Sequence, residues 1–165
     1  MVSEILYFNT EEAVGVYLKT ELVDRIYQFC EAAYPNETGG ILVGQYNSNF
    51  EHANVTMITG APADSKAGRT WFYRGTTGLQ ELLDELWDTQ GSYYLGEWHY
   101  HPDGASSPSI QDLIEMKAIS MNEEYNCPEP LLLIVGGSST HQTFNCSVYI
   151  YLRNKNRLFP VLKSN

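Results

Sequence analysis

The twenty residues YYLGEWHYHPDGASSPSIQD, at positions 93–112, decide the fold prediction. Residues 93–101 carry aromatic side chains on both faces of an extended chain, which is typical of a central β-strand. A polar loop follows, and Ser107-Pro108 has the form of a helix N-cap with proline at the first helical position. We therefore predict a strand, a short loop and a helix that ends near Met121. The helix residues expected to face inward or to lie at the edge of the buried face are Ile110, Leu113, Ile114 and Lys117.

Further helices and strands alternate on both sides of this stretch. Apolar residues at helical spacing predict helices over 20–34 and 78–90. Short apolar runs predict strands over 41–44, 55–59, 131–135 and 143–152, and the tail 153–165 is expected to add a last strand at the sheet edge. Several strands are close enough in sequence to form hairpins. We expect one α/β domain over residues 1–165, built as a sandwich around a mixed sheet.

Length and composition restrict the class of protein. The 165 residues are 43% apolar and 18% charged, which is typical of a globular domain with a real core. The formal net charge of −10 argues against nucleic acid as a partner, because phosphate backbones require clustered Lys and Arg. An acidic surface fits a basic protein partner, although many bacterial cytosolic proteins are acidic. We see neither a signal peptide nor a membrane-spanning run, and we predict a cytoplasmic protein.

The three cysteines are far apart in sequence. Cys30, Cys127 and Cys146 form no C-x-x-C pair, and we interpret them as reduced structural thiols. A thiol protease would need one of them beside a histidine, and the local sequence offers no support for that alternative.

A candidate metal site follows from strand geometry. His99 and His101 are two residues apart, so both imidazoles leave the same face of a strand and suit zinc or a similar divalent cation. Asp112, early in the next helix, is the candidate third ligand. Two nitrogens and one carboxylate oxygen leave a fourth position open, as in catalytic zinc sites.

Two further residues are candidates for hydrolytic chemistry. Ser109 and Asp112 are three apart and share a helix face, so the Ser109 hydroxyl could donate to an oxyanion. Glu37 precedes two glycines and a buried strand, and it is the candidate acid/base. Nothing local fixes Glu37 beside His99.

The spaced residues together resemble a known signature. Glu37, His99-x-His101, seven residues and Ser109-x-x-Asp112 look like the full motif of the JAMM (JAB/MPN-plus) zinc metalloprotease family. The surrounding residues that match the family's usual context are Gly39 to Gly44, Gly96-Glu97-Trp98 and Pro102. The resemblance covers roughly residues 14–152.

The resemblance implies a cytidine-deaminase-like α/β/α sandwich and one Zn²⁺ per chain. His99, His101 and Asp112 would be the zinc ligands, Glu37 the general acid/base and Ser109 an oxyanion donor. One position departs from the family: Tyr100 stands where Ser or Thr is usual. Strand parity turns Tyr100 away from the metal, so this departure does not by itself remove activity.

Size narrows the resemblance to stand-alone bacterial members. The chain looks like the isopeptidase of CBASS antiphage systems, or its relative in bacterial ubiquitin-like conjugation systems. The implied reaction is hydrolysis of the bond after the C-terminal tail of a ubiquitin-like protein or of a conjugated nucleotidyltransferase. Two alternatives stay open: a processing peptidase for sulfur-carrier precursors, and a catalytically silent MPN scaffold. The intact five-residue set speaks against the scaffold, and the oligomeric state is not indicated.

Three features keep two interpretations each. Residues 71–74 would either grip an extended substrate tail by strand addition or pack as ordinary strand residues. Arg69 and Arg74 would pair with acidic substrate groups or be solvated. Glu97 shares the parity of the histidines and would either orient a ligand or lie partly exposed.

Overall fold

The computed structural model describes residues 3–138, 140–141 and 143–165. Its ten strands are β1 (Glu4–Asn9), β2 (Val14–Lys19), β3 (Thr38–Tyr46), β4 (His52–Ile58), β5 (Lys66–Ala67), β6 (Phe72–Tyr73), β7 (Tyr93–Pro102), β8 (Leu131–Gly137), β9 (Asn145–Leu152) and β10 (Arg157–Lys163). Its α-helices are α1 (Thr20–Ala33), α2 (Leu79–Gln90) and α3 (Ile110–Met121). None of the helices in these ranges is long and apolar enough to cross a membrane.

Eight strands close into a ring. Their order is β1-β10-β9-β8-β7-β3-β4-β2, and β5 and β6 form a separate two-stranded sheet. The sheet is mixed as predicted: β7 pairs with β8 and β2 with β4 in parallel, and the other pairs are antiparallel. The closed ring differs from the expected sandwich around a mixed sheet, because β10 bonds to both β9 and β1 and so closes the sheet on itself. The deaminase-like classification stays a prediction.

The sequence-based boundaries were wrong in two ring-closing segments. No strand was predicted before residue 20, whereas β1 and β2 pair along their full length. The tail was expected at the sheet edge, but β10 lies between two strands. Pairing between the chain ends is a long-range contact, and local sequence patterns do not record it.

Two apolar clusters lie on opposite faces of the central strands. Trp98, Tyr100 and the odd residues of β8 pack with α1 in one cluster. Ile41, Leu132 and Ile134 pack with α2 and α3 in the other. Alternation along β7 and β8 thus assigns successive side chains to different clusters. As expected, Tyr100 faces away from the histidines: its hydroxyl donates to the Gly137 carbonyl at 3.0 Å.

The buried face of α3 differs from the prediction. Ile110 and Ile114 are 78% and 57% exposed, and Leu113 is 45% exposed. Met116 and Ile119 supply the apolar contact instead, while Asp112 is buried at the start of the helix. The helix is therefore rotated so that a carboxylate, rather than its first apolar residues, faces the sheet.

Gly40 allows β3 to approach its neighbours closely. A Cβ at this position would meet the carbonyl oxygen of Thr59 and lie 2.7 Å from Nε1 of Trp98, the nitrogen that donates to that carbonyl. Gly104 lies in the loop after β7. A Cβ added there would be 3.4 Å from its nearest neighbour, the Cβ of His101, which is an ordinary contact distance, so Gly104 is a matched control position.

We predict that Gly40→Ala lowers the free energy of unfolding by about 1–3 kcal/mol, as overpacking of a filled core does. Gly104→Ala should stay within about 1 kcal/mol of the parent. Urea unfolding followed by tryptophan fluorescence measures both. Equal stability of the Gly40→Ala variant and the parent would contradict the close approach.

Candidate metal centre

The end of β7 presents two imidazoles on one face of the strand. His99 is buried and His101 is partly buried, and both point to the side covered by α2 and α3. Between them, Tyr100 is packed in the opposite cluster. The alternation of a regular strand is thus sufficient to bring the two rings together.

The start of α3 brings Asp112 to these rings. Ser109 is the N-cap, and its hydroxyl accepts from the backbone N–H of Asp112 at 3.1 Å. In return, the Asp112 carboxylate accepts from the backbone N–H of Ser109 at 2.6 Å, which completes a capping box. The prediction of a cap at Ser107-Pro108 was therefore wrong by two residues. The cap fixes the orientation of the carboxylate.

Asp112 contacts both imidazoles. Its Oδ1 lies 2.6 Å from Nδ1 of His99, and its Oδ2 lies 3.4 Å from Nε2 of His101. The Ser109 hydroxyl also donates to Oδ2, at 2.6 Å. The structure therefore brings together four of the five predicted site residues through direct contacts.

Strand pairing brings Glu37 to the same place. β3 pairs antiparallel to β7 with Gly39 opposite His99 and Thr38 opposite Tyr100. Glu37 precedes this register by one residue, at the level of His101. Its backbone N–H donates to the Gly68 carbonyl at 2.8 Å, which ties it to the β5–β6 hairpin. The contact that sequence reasoning lacked is thus a long-range backbone register.

The local electrostatics are those of a partly desolvated charge cluster. Burial raises the pKa of Glu37, and this effect outweighs the lowering by His101 and His99. Burial would also raise the pKa of Asp112, but hydrogen bonds to His101 and His99 hold it well below its usual range. Asp112 is thus kept ionised while Glu37 is held closer to protonation.

Glu115 is a fourth potential ligand that sequence reasoning missed. It lies one helical turn after Asp112, with Oε2 3.9 Å from Nε2 of His99. Ligand atoms of His99, Asp112 and Glu115 all lie within 4.8 Å of one another. The sequence could have indicated Glu115, because it lies three residues after Asp112 and residues three apart on a helix share a face.

Among the described residues, the donor atoms of one triad, His99, Asp112 and Glu115, lie within 4.8 Å of one another, and His101 contacts the second oxygen of the same Asp112 carboxylate. Donors around a tetrahedral zinc ion with bonds of about 2.0–2.1 Å are separated by about 3.3 Å. The His101 to Asp112 separation of 3.4 Å is near this spacing, the Glu115 to His99 separation of 3.9 Å is longer, and the His99 to Asp112 separation of 2.6 Å is that of a hydrogen bond. We propose His101, whose side chain is less exposed than that of Glu115 and which belongs to the H-x-H pair of the family signature, as the third donor. Two imidazoles and one carboxylate form a set that fits zinc.

The structure excludes one of the two interpretations of Glu97 and one of the two of Arg74. Glu97 is 3% exposed and accepts two hydrogen bonds from Arg74, so it is not exposed and Arg74 is not solvated. The hydroxyl of Tyr94 donates to the same carboxylate at 2.7 Å. The partner of Glu97 lies 23 residues away along the chain, which no local pattern indicates.

The cysteines do not have the properties of nucleophiles. All three are free thiols. Burial raises the pKa of Cys127 and of Cys146 to about 12, and it also raises that of Cys30. Reactive thiols require the opposite shift.

Fold and site together define a class: an α/β domain whose central strand and following helix hold a His/Asp cluster. The family model for prokaryotic homologs of the JAB domain matches residues 19–149, and the chain belongs to this family.

Relatives with descriptive names support the assignment. A protein named CD-NTase/cGAS isopeptidase from Enterobacter hormaechei is 43% identical over 131 residues, which cover 79% of this chain and 72% of that protein. A protein of the same name from Escherichia coli is 28% identical over 125 residues, which cover 74% and 76% of the two chains.

Two solution structures share the fold. A protein from Desulfitobacterium hafniense has a TM-score of 0.54 at 19% identity, covering 88% of this chain and 87% of that one. A protein from Salinibacter ruber has a TM-score of 0.55 at 20% identity, covering 88% and 90%.

We predict that His101→Ala weakens zinc binding by at least about a hundredfold, since loss of even an outer-shell partner costs about 10–100-fold. Glu115→Gln should retain the zinc content of the parent, because the proposed donors are His99, His101 and Asp112. Zinc per chain is measured by inductively coupled plasma mass spectrometry after dialysis. Loss of zinc from Glu115→Gln with retention in His101→Ala would reverse the assignment.

Proposed function

We propose that this protein is a zinc-dependent isopeptidase that hydrolyses the bond after the C-terminal tail of a conjugated CD-NTase. The observation that carries the proposal is the convergence of two imidazoles, one carboxylate and Glu37 at the paired ends of β3 and β7. The names of the relatives supply the substrate class. Residues 1–165 act as one protease domain in the cytoplasm.

His99, His101 and Asp112 would hold one zinc ion. When bound, zinc supplies Lewis acidity, which polarises a carbonyl and makes water acidic enough to attack near neutral pH. Ionised Asp112 offers the metal a negative donor, and its capping box keeps that donor in one orientation.

Glu37 is the proposed acid/base. Water adds to the scissile carbonyl carbon, Glu37 takes one proton from it, and the carbon–nitrogen bond breaks. Glu37 returns the proton to the departing amine, so an acid and a free amine are released. A carboxylate with a raised pKa suits both directions of this transfer.

Ser109 is the proposed oxyanion donor. Its hydroxyl is at the N-cap, next to the metal ligands, and in the free protein it donates to Asp112. In the reaction this hydroxyl would turn to the developing oxyanion. Loss of one oxyanion donor costs about 3 kcal/mol of transition-state stabilisation.

A ubiquitin-like protein is the second candidate substrate, since the family resemblance includes such isopeptidases. A sulfur-carrier precursor would present the same kind of tail. The scaffold alternative requires loss of the donor set, and all of its members are present here.

A fusion protein tests the activity directly. We expect the zinc-loaded protein to release green fluorescent protein from the C-terminal residue of a CD-NTase, and to act more slowly on the same fusion to ubiquitin. Gel mobility and mass spectrometry of the new terminus measure the cleavage. A chelator should stop the reaction, and a thiol reagent should not. Faster cleavage of the ubiquitin fusion would instead indicate that a ubiquitin-like protein is the substrate.

Glu37→Ala should retain zinc and lower kcat by at least about a hundredfold, because general acid–base catalysis contributes about 10²–10⁴-fold. Zinc analysis and the fusion assay are run on the same preparation. Full activity of the Glu37→Ala variant would rule out the proposed proton transfer.

Ser109→Ala should lower kcat by about a hundredfold, as loss of one oxyanion donor does. Because the residue is also an N-cap, thermal unfolding should show a loss of about 1 kcal/mol. Ser107→Ala, two residues earlier and outside the capping box, is the control for both measurements. An unchanged kcat in Ser109→Ala would assign this hydroxyl to the cap alone.

A further inference from the structure

The β5–β6 hairpin lies outside the closed ring. Its two strands have two residues each and pair as Lys66 with Tyr73 and Ala67 with Phe72. Isolated two-stranded hairpins are marginally stable in water. The position of this hairpin must therefore depend on contacts with the rest of the molecule.

One side of a cleft beside the metal centre is formed by this hairpin. The cleft has a volume of about 260 Å³, and its walls include Phe72, Tyr73, His99 and Glu115. The ring of Phe72 meets the His99 imidazole edge-on, with 6.0 Å between centroids. Gly39 makes room for this contact, since a Cβ there would lie 2.8 Å from the Phe72 ring. The setting of β6 thus determines the width of the cleft next to His99.

Arg74 connects the hairpin to β7, the strand that carries the two candidate histidine ligands. Immediately after β6, its Nε and Nη2 donate to the two carboxylate oxygens of Glu97 at 2.7 and 2.9 Å. The two side chains are 12% and 3% exposed. Glu97 lies two residues before His99 and shares its face of β7.

Neighbouring groups hold this ion pair in place. Tyr94 donates to Glu97, Nη2 of Arg74 donates to the Tyr125 hydroxyl at 3.2 Å, and Nη1 donates to the Gly75 carbonyl at 2.8 Å. Arg74 thereby joins the hairpin, β7 and the segment after α3. A forked guanidinium on a carboxylate fixes direction as well as distance.

Stability alone does not explain a charged pair at this place. Removing two charges from water is costly, and apolar replacements of buried pairs are often neutral or stabilising. The contacts at the base of the hairpin have a smaller desolvation cost, because they are exposed. There, Asp64 accepts from the backbone N–H groups of Thr76 and Thr77 at 3.0 and 2.9 Å. The buried pair adds a fixed register between β6 and His99, which those contacts do not reach.

We propose that Arg74 and Glu97 are positioning residues for substrate: their buried ion pair holds β6 at the distance from His99 that admits an extended tail. The inference rests on the proposed function, because the tail is the group that the cleft receives. The chemistry that fits this wall is an extended main chain aligned beside β6, the recognition mode in which a peptide adds a strand to a sheet.

The test uses a double variant that removes both charges without leaving one unpaired. Arg74→Met with Glu97→Gln keeps an amide oxygen that accepts from Tyr94. With the CD-NTase fusion as substrate, we expect KM to rise about tenfold while kcat stays within about threefold, because a displaced wall weakens binding of the tail equally in the ground state and the transition state. Zinc content and the melting temperature should match the parent. Arg74→Lys, which keeps the charge but loses the fork, should give an intermediate KM.

Hydrogen exchange supplies a readout that does not depend on activity. In the double variant the amides of residues 66–73 should exchange at least about tenfold faster than in the parent, because the hairpin loses its tie to β7. Lys155→Met removes the pair that Lys155 forms with Glu12 at 3.0 Å, away from the cleft, and should change neither exchange nor KM.

Each outcome decides one claim. Unchanged exchange in the double variant overturns the positioning role, even if the parent cleaves no fusion and the proposed function fails. Faster exchange with an unchanged KM also overturns it, because the wall then does not contact the tail. A joint fall in melting temperature, zinc content and kcat, with KM unchanged, would assign the pair to stability alone.

Discussion

The antiparallel pairing of β3 with β7 is the constraint on which the site depends. It sets Gly39 opposite His99 and Thr38 opposite Tyr100, and so brings Glu37 level with His101. The pairing is only possible because two successive residues of β3 have no side chain: a Cβ on Gly39 or Gly40 would meet backbone carbonyls of neighbouring segments. The hairpin, the helix cap and the carboxylate of Glu37 are all arranged around this register.

The second constraint is the start of α3. Ser109 and Asp112 cap the helix reciprocally, and the same carboxylate contacts both imidazoles. The Asp112 carboxylate therefore caps the first turn of a helix and also contributes to the candidate metal site. This double use explains why α3 turns a buried carboxylate to the sheet while Ile110 and Ile114 remain exposed.

The parts of the site that follow local rules were predictable. Strand parity predicted the convergence of His99 and His101, and helical spacing predicted that Ser109 and Asp112 meet. Glu37 could be named as a candidate from the two glycines and the buried strand that follow it, but its approach to His101 depends on strand register, which no local pattern records. The Arg74–Glu97 pair could not be found, since the two residues belong to different elements and the ion pair forms only when the hairpin folds back on β7. In the fold, the central strand and helices were recognisable, whereas closure by β1, β2 and β10 depends on contacts between the chain ends.

Anomalous diffraction at the zinc edge tests the central claim most directly, because it locates the metal without reference to activity. The account predicts one peak per chain, at about 2.0–2.1 Å from a ring nitrogen of each of His99 and His101 and about 2.0–2.2 Å from an Asp112 oxygen. Glu37 should lie near that peak without binding it. A peak held by Glu115 in place of His101, a peak at a thiol, or no peak after exposure to zinc would contradict the account.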